Sequence, residues 1–414
     1  MALKSDSDYL KKVLEYFYGY QEFRPGQEPI IQAILQQEPV LAVLPTGAGK
    51  SLCFQLPSLL MEGVTLVISP LISLMKDQAQ SLTQRQLPAA YLDSSMSGNA
   101  YGRVLYEVLQ GRCKFLYVAP ERLASQQFIN FAQRANITLV AVDEAHCVSQ
   151  WGRSFRKDYY NIPAFIKALP KRPLVAAFTA SATPEVREDI LLRLEIPKAK
   201  VFVKDFDRPN LFFAVKRTMD KDRELRAFLA KHEEEPGIVY CSTRNTVEQV
   251  TGDLQGLGYN ALRYHAGLTA QERSANQDAF VQGRAQLIVA TNAFGMGIDK
   301  PDVRFVVHYN MPKDMESYYQ EAGRAGRDGK PSECLLLYNK QDVIINTYLI
   351  ENSEADSLSR TEQLERLEEM DYYCKTMKCL RKSLLEYFGE KPPATCNNCG
   401  NCRDNKAASW RRFL

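Results

Sequence analysis

The residues with the most chemistry in this chain are Val43–Ser51, reading Val-Leu-Pro-Thr-Gly-Ala-Gly-Lys-Ser. They follow an apolar run, Val40–Leu44, and open a stretch of helical character. Strand, tight loop and helix in that order form the setting in which Gly-Lys-Ser cradles phosphates. Gly47 and Gly49 let the backbone turn so that successive N–H groups, from Thr46 through Ser51, point inward at an anion. Lys50 can reach the β- and γ-phosphates, the Ser51 hydroxyl can ligate Mg²⁺, and the helix N-terminus adds a favourable field. Leu44 stands where the common GxxxxGK[ST] pattern has its first glycine, so the segment is a Pro-Thr-Gly-x-Gly-Lys-Ser variant.

A second constellation lies about ninety residues on, where the apolar run Leu139–Val142 is followed by Asp143-Glu144-Ala145-His146. An acidic pair at the carboxyl end of a buried parallel strand sits where such sheets bind ligands. Asp143 is expected to hold the Mg²⁺ shell, and Glu144 to orient or deprotonate the attacking water. Together the two segments predict nucleoside triphosphate hydrolysis. Further along, Tyr319–Gly329 interleaves glycines with Arg324 and Arg327, two arginines three apart on one expected helical face. An arginine reaching a γ-phosphate from a neighbouring domain is a charge-stabilising device. Near the end, Cys379 is followed by Cys396, Cys399 and Cys402 in a Gly/Asn loop. Thiolates at that spacing can wrap one tetrahedral ion, Zn²⁺ being the best fit, with Cys374 competing for the fourth position and an iron–sulfur cluster as the alternative.

These groups need elements to position them. Apolar runs at Val64–Ser69, Phe115–Ala119, Leu139–Val142 and Leu174–Thr179 alternate with helix-like stretches, which predicts a parallel α/β sheet in residues 1–205. After the polar, proline-containing crossover Phe206–Asn210, the alternation repeats in residues 206–341, at Gly237–Cys241, Ala261–His265, Gln286–Ala290, Val303–Val307 and Glu333–Tyr338. From residue 342 to 414 the strand pattern gives way to helical sequence, Thr361–Met370 and Tyr372–Phe388, and the cysteine loop. The expected fold class is therefore α/β, with two tandem parallel-sheet domains and a small helical metal-binding segment.

Composition sets outer bounds. With 414 residues, two or three domains are expected; 45% hydrophobic and 24% charged residues are ordinary for a globular protein. A net charge of +3 requires any nucleic-acid site to be a local basic channel. No apolar run reaches the ~18–20 residues that span a bilayer, and the N-terminus lacks a signal-peptide core. Five scattered cysteines, Cys53, Cys113, Cys147, Cys241 and Cys334, read as small buried residues in a reducing compartment. The expectation is a cytoplasmic protein without membrane contact, associated with the nucleoid in a bacterial cell.

The ordered motifs resemble those of the RecQ family of DNA helicases, in helicase superfamily two, nearly end to end from about Phe17 to Cys402. Phe23–Gln27 resembles the family's adenine-reading segment, which implies that Gln27 bonds the adenine edge, Tyr20 stacks and Arg24 assists. Ser69–Gln78 and Ala119–Arg122 resemble its DNA-backbone segments, and Thr179–Thr183 the segment linking hydrolysis to domain movement. Tyr264–Leu268 and Ala290–Lys300 resemble second-domain DNA and nucleotide contacts. Gln320–Arg327 closes the set, with Arg327 as the implied finger and Gln320 and Arg324 as supporting nucleotide contacts. The family's aromatic-rich loop reads here Ser149–Tyr159, in which Trp151 and Phe155, beside Arg156, are expected to stack on unpaired bases. Arg153-Ser154 replaces the family's usual His-Asp at that place.

The resemblance also assigns the fourth zinc ligand to Cys379 rather than Cys374. It implies two RecA-like domains with Mg·ATP between them, and ATP-driven movement from 3′ to 5′ on single-stranded DNA. Single-stranded and partly duplex DNA are the implied substrates, repair or recombination the setting, and a single-strand-binding protein a conceivable partner. Many relatives carry a winged-helix domain after the zinc segment, and Arg403–Leu414 is too short to form one. Rival readings are a DNA-stimulated ATPase that translocates or anneals but unwinds poorly, a nucleic-acid-binding protein with a vestigial ATPase, and an RNA helicase.

Overall fold

The structure is a computed structural model that describes residues 6–45, 47–70, 72–93, 96–149, 157–295, 300–353 and 357–404. They fall into two compact units, Met1–Asp205 and Phe206–Leu414.

The first unit is built on seven parallel strands: β1 (Val40–Val43), β2 (Val64–Ile68), β3 (Ala89–Leu92), β4 (Phe115–Val118), β5 (Ile137–Val142), β6 (Leu174–Thr179) and β7 (Lys200–Val203), in the order β3-β4-β2-β5-β6-β1-β7. β1, β2, β4 and β6 are buried at every position, because helices cover both faces of a parallel sheet and leave no polar side. One core layer joins Ile30, Ile31 and Ile34 of the helix Gln27–Leu35 to Phe54 and Leu56 of the helix Lys50–Leu60 and to Phe178 of β6. The pairing of Val43 with Thr179, and of Ile68 with Val142, brings the carboxyl ends of β1, β6, β5 and β2 to one edge. That edge carries the loops with the predicted chemistry.

The second unit holds six parallel strands: β8 (Leu211–Arg217), β9 (Gly237–Tyr240), β10 (Ala261–Tyr264), β11 (Leu287–Ala290), β12 (Phe305–His308) and β13 (Ser332–Tyr338), in the order β10-β11-β9-β12-β13-β8. The helices Lys340–Glu351, Ser357–Lys375 and Leu380–Tyr387 complete it. They join the sheet rather than hang from it: Tyr373 packs 5.3 Å from Tyr318, and Cys399 bridges to Phe213 of β8. Among the described residues, no helix is long and apolar enough to cross a membrane.

Three strands lack a counterpart in the sequence reading: β3, β7 and β8. All three are edge strands; β3 and β7 are short and partly open to solvent, whereas β8 carries the apolar run Leu211–Val215 directly after the polar crossover. The helical boundary near Asp371 also differs. One helix runs unbroken through Met370–Tyr372 to Lys375, and the chain breaks at Thr376–Cys379, where the Asn401 side chain donates to the Thr376 and Lys378 carbonyls at 2.9 and 2.7 Å.

Candidate functional site

At the carboxyl end of β1, Gly47 and Gly49 take left-handed φ of 82° and 79° and deliver the chain into the helix Lys50–Leu60. A Cβ on Gly49 would stand 2.5 Å from Gln27 Nε2 and displace that amide, so glycine is needed there for conformation and leaves Gln27 its place. Gln27, 3% exposed, donates from Nε2 to the Ala48 and Gly49 carbonyls at 3.0 and 3.1 Å, and its Oε1 accepts the Arg24 N–H at 2.9 Å. Arg24 Nη1 donates to the Gly47 carbonyl. The two residues expected to read a base are thus the residues that hold the loop, since a buried amide must be satisfied and the loop backbone is within reach. Tyr20 is exposed, as a stacking surface must be. Thr46 lies outside the described residues.

Across the edge, Asp143 follows β5. Its Oδ1 accepts the Glu144 N–H at 3.0 Å and its Oδ2 lies 3.5 Å from Ser69 Oγ. Glu144 is held at φ 47°, a left-handed conformation that costs a non-glycine residue free energy and that clusters at functional sites. Its Oε1 stands 3.6 Å from Lys50 Nζ and its Oε2 3.3 Å from His146 Nδ1. His146 Nδ1 is also 2.9 Å from Thr179 Oγ1; because the Thr179 hydroxyl donates to the Ser181 carbonyl, at 3.1 Å, the ring nitrogen is the donor. The acidic pair is therefore tied to Thr179–Thr183 through one imidazole. Burial, with the Glu144 charge beside it, pushes the Asp143 carboxyl up to about 6, and Lys50 restrains the rise. Two repelling carboxylates at this edge make a place whose repulsion a hard divalent cation such as Mg²⁺ would relieve, with Asp143 as the candidate ligand.

The aromatic-loop residues Trp151, Phe155 and Arg156 lie outside the described residues, but both roots of their loop are anchored. Ser149 Oγ donates to Asp189 Oδ2 at 2.7 Å, and Tyr159 Oη donates to the Asp143 carbonyl at 3.0 Å. The loop thus returns directly onto the backbone of the acidic pair. Tyr159 was not singled out in the sequence; a tyrosine at the end of a polar segment gives no signal of its partner.

In the second unit, Gln320 and Arg324 are buried and Arg327 half-buried. The two arginines do not share a helical face. The helix Met315–Ala322 ends at Gly323, and Gly326, at φ 55°, turns the chain between them. Arg324 Nη1 donates to the Gly295 carbonyl, and a Cβ on Gly295 would stand 2.3 Å from Arg324 Nη2. Met296–Asp299, in the adjoining motif, lies outside the described residues.

Cys379, Cys396, Cys399 and Cys402 bring their sulfurs within 4.8 Å of one another, with Cys379 and Cys399 at 3.9 Å. A tetrahedral Zn²⁺ with bonds of ~2.3 Å sets sulfurs ~3.8 Å apart, so the four thiols fit that ion. Cys374 is buried outside the cluster. Cys379 is not inside a helix but caps the N-terminus of Leu380–Tyr387, and its Sγ accepts the Lys382 N–H at 3.4 Å. Burial pushes the Cys379 thiol up, and the Lys382 N–H partly offsets it in favour of the thiolate.

Comparison with known proteins agrees with these groupings. The chain matches the DEAD/DEAH box helicase family over residues 24–190, the helicase conserved C-terminal domain over 220–329 and the RecQ zinc-binding family over 340–403. It is 45% identical over 399 residues to the ATP-dependent DNA helicase RecQ of Bacillus subtilis, covering 96% of this chain and 67% of that protein. It is 41% identical to the ATP-dependent DNA helicase RecQ of Pasteurella multocida, covering 95% and 62%. The chain spans about two thirds of the length of these relatives. Among solved structures it resembles S. cerevisiae Dbp5 bound to RNA and ADP BeF3, with a TM-score of 0.66 at 19% identity over 88% of this chain and 99% of that one. At that identity the likeness shows the fold, two RecA-type α/β units.

Proposed function

This chain belongs to the RecQ family of helicases, and on that premise we propose that it is an ATP-dependent DNA helicase moving 3′ to 5′ along single-stranded DNA and unwinding duplex, in repair or recombination. The observation that carries the reading is the convergence of Lys50, Asp143 and Glu144 at the carboxyl edge of one sheet, with Lys50 Nζ 3.6 Å from Glu144 Oε1. Lys50 exchanges that carboxylate for the β- and γ-phosphates. Freed of the lysine, Glu144 becomes the base that orients and deprotonates water, and the His146–Thr179 bond carries its state toward Thr179–Thr183. Ser51 and Asp143 hold the Mg²⁺, which neutralises charge on the phosphates. Tyr20, Arg24 and Gln27 serve the adenine, Gln320 and Arg324 support the nucleotide, and Arg327 is the proposed finger. Trp151, Phe155 and Arg156 grip DNA, and the Tyr159 bond to the Asp143 carbonyl supports a coupling between that grip and hydrolysis.

Zn²⁺ bound by the four cysteines supplies folding free energy to the last segment, in a site with no open position. The proposed compartment is the cytoplasm, and the bacterial nucleoid where the cell has one; a single-strand-binding protein is the partner to test first. The function is tested by strand displacement on duplexes with a 3′ tail, a 5′ tail or blunt ends, with single-stranded DNA and RNA as competitors. ATP-dependent unwinding of the 3′-tailed substrate, competed by DNA, is the expected result. No unwinding beside intact DNA-stimulated ATPase would make the chain a translocase, and preferential competition by RNA would overturn the substrate.

A further inference from the structure

The segment that opens the second unit, Phe206–Asn210, grips the turn that presents Arg324 and Arg327. Arg208 donates from Nη1 to the Gly323 carbonyl at 3.3 Å, and from Nη2 to the Ala325 and Gly326 carbonyls at 3.1 and 2.9 Å. Asn210 Nδ2 donates to the same Gly326 carbonyl at 2.9 Å and to the Lys330 carbonyl at 3.0 Å. Gly326, the residue before Arg327, has φ 55°, and a Cβ there would lie 2.4 Å from Asn210 Nδ2 and 2.7 Å from Ser332 Oγ. The Gly326 N–H is bonded to the Val303 carbonyl at 2.8 Å. The backbone on both sides of Arg324, up to the residue before Arg327, is thus fixed by side chains from outside the turn.

The gripping segment is itself seated by the zinc-binding segment. Arg381, 5% exposed and two residues after the ligand Cys379, donates to Asp207 Oδ1 and to the Arg208 and Leu211 carbonyls. Phe206 stacks on Phe388 with ring centroids 4.5 Å apart and planes 13° from parallel, and its carbonyl accepts Tyr319 Oη at 2.9 Å. Asn398, between two cysteine ligands, donates to the Pro209 carbonyl at 3.1 Å.

We propose that Arg208 is a positioning residue for ATP hydrolysis: its guanidinium fork fixes the turn so that Arg327 is presented in one direction, and Arg381 of the zinc-binding segment seats the fork. The inference rests on the reading of Arg327 as the finger. A charge-stabilising arginine acts only when preorganised, and a misplacement of ~1 Å costs about 10²-fold in rate. Arg208 bonds only backbone of the turn, so its loss should act through Arg327 and leave nucleotide affinity in place. A lysine carries the charge but cannot span three carbonyls.

The test is a double-mutant cycle on DNA-stimulated ATP turnover with Arg208→Ala, Arg327→Ala and the double variant, alongside Mg·ATP affinity, melting temperature and zinc content. Arg208→Ala is expected to lower kcat about 10²-fold with Mg·ATP affinity within about threefold. In the Arg327→Ala background the same change should matter less than about twofold, because one unit cannot be lost twice. Arg208→Lys, which keeps the charge should the alanine variant misfold, is expected to lose about tenfold in kcat at unchanged affinity. Losses that multiply in the double variant, or a kcat for Arg208→Ala within about threefold of wild type, would overturn the inference alone. A fully active Arg327→Ala would overturn the finger reading, and this inference with it.

Discussion

The phosphate loop and the arginine turn are held in contrasting ways. The loop lies between a buried central strand and the helix Lys50–Leu60, and its supports, Arg24 and Gln27, sit on the segment that leads into the same core. The arginine turn follows a helix that has already ended. Its backbone is fixed by Arg208 and Asn210, more than a hundred residues away in sequence, with the Val303 carbonyl. The first region is a local motif carried by regular structure, and the second is assembled by tertiary contacts. Substitutions inside the loop should therefore act directly on nucleotide, whereas the turn should also be sensitive to residues that never meet it.

The largest expected effect falls on the local region. Lys50→Ala should abolish ATP turnover with little change in melting temperature, since Lys50 is half-buried at the mouth of the edge and supports no core. A steady-state ATPase assay decides it, and turnover within about threefold of wild type would sink the phosphate-loop assignment. Next, Glu144→Gln should retain Mg·ATP binding and lose about 10²–10⁴-fold in hydrolysis, because the amide keeps the shape but cannot take a proton. If nucleotide affinity vanished instead, Glu144 would be a binding residue. Trp151→Ala with Phe155→Ala should damage DNA-stimulated turnover far more than the basal rate, since each stacked base contributes ~1–3 kcal/mol. Equal loss of both rates would favour a core role for the two rings.

The assembled region depends on the metal. Cys399→Ser should lower zinc content well below one ion per chain and destabilise the second unit, because three thiolates and a hydroxyl hold Zn²⁺ poorly. Elemental analysis and thermal melting check it, and wild-type protein that holds iron rather than zinc would contradict the assignment. Since Arg381 follows Cys379 and seats Arg208, turnover at saturating DNA should also fall, whereas a segment that only bound DNA would leave that rate intact. The smallest effect is on pH. With the metal-free Asp143 carboxyl raised to about 6, protons compete with Mg²⁺ for it below that pH, so the Mg²⁺ concentration needed for half-maximal turnover should rise on acidification. The sign for stability is opposite: a carboxyl raised in the folded state favours folding when protonated, so its contribution grows as pH falls and is lost as pH rises through about 6. An Mg²⁺ requirement that stays the same between about pH 5 and 7 would remove Asp143 from the metal's shell.

Much of the local region was legible in sequence. Gly47, Gly49, Lys50, Asp143 and Glu144 carry their chemistry in type and spacing, and continuous apolar runs mark the strands that aim them. Cys379 was separable from Cys374 only through the family resemblance; in the structure its sulfur lies with those of Cys396, Cys399 and Cys402. The edge strands β3 and β7 were not legible, being only four residues long and mostly open to solvent, whereas β8 carries the apolar run Leu211–Val215 and was obscured by the polar crossover Phe206–Asn210 just before it. Nor was the turn around Arg324 and Arg327, since Gly323 and Gly326 end a helix that the arginine spacing alone would extend. The crossover Phe206–Asn210 stood out only as polar and proline-containing; nothing in its composition says that Arg208 bonds carbonyls more than a hundred residues away.

The most direct test of the account separates binding from chemistry at Arg327. Mg·ATP affinity and single-turnover hydrolysis in the presence of single-stranded DNA are measured on the wild type and on Arg327→Ala. The account predicts affinity within about threefold of wild type and a hydrolysis rate lower by about 10³-fold or more. A rate within about threefold of wild type, or a loss of affinity that accounts for the whole defect, would contradict it.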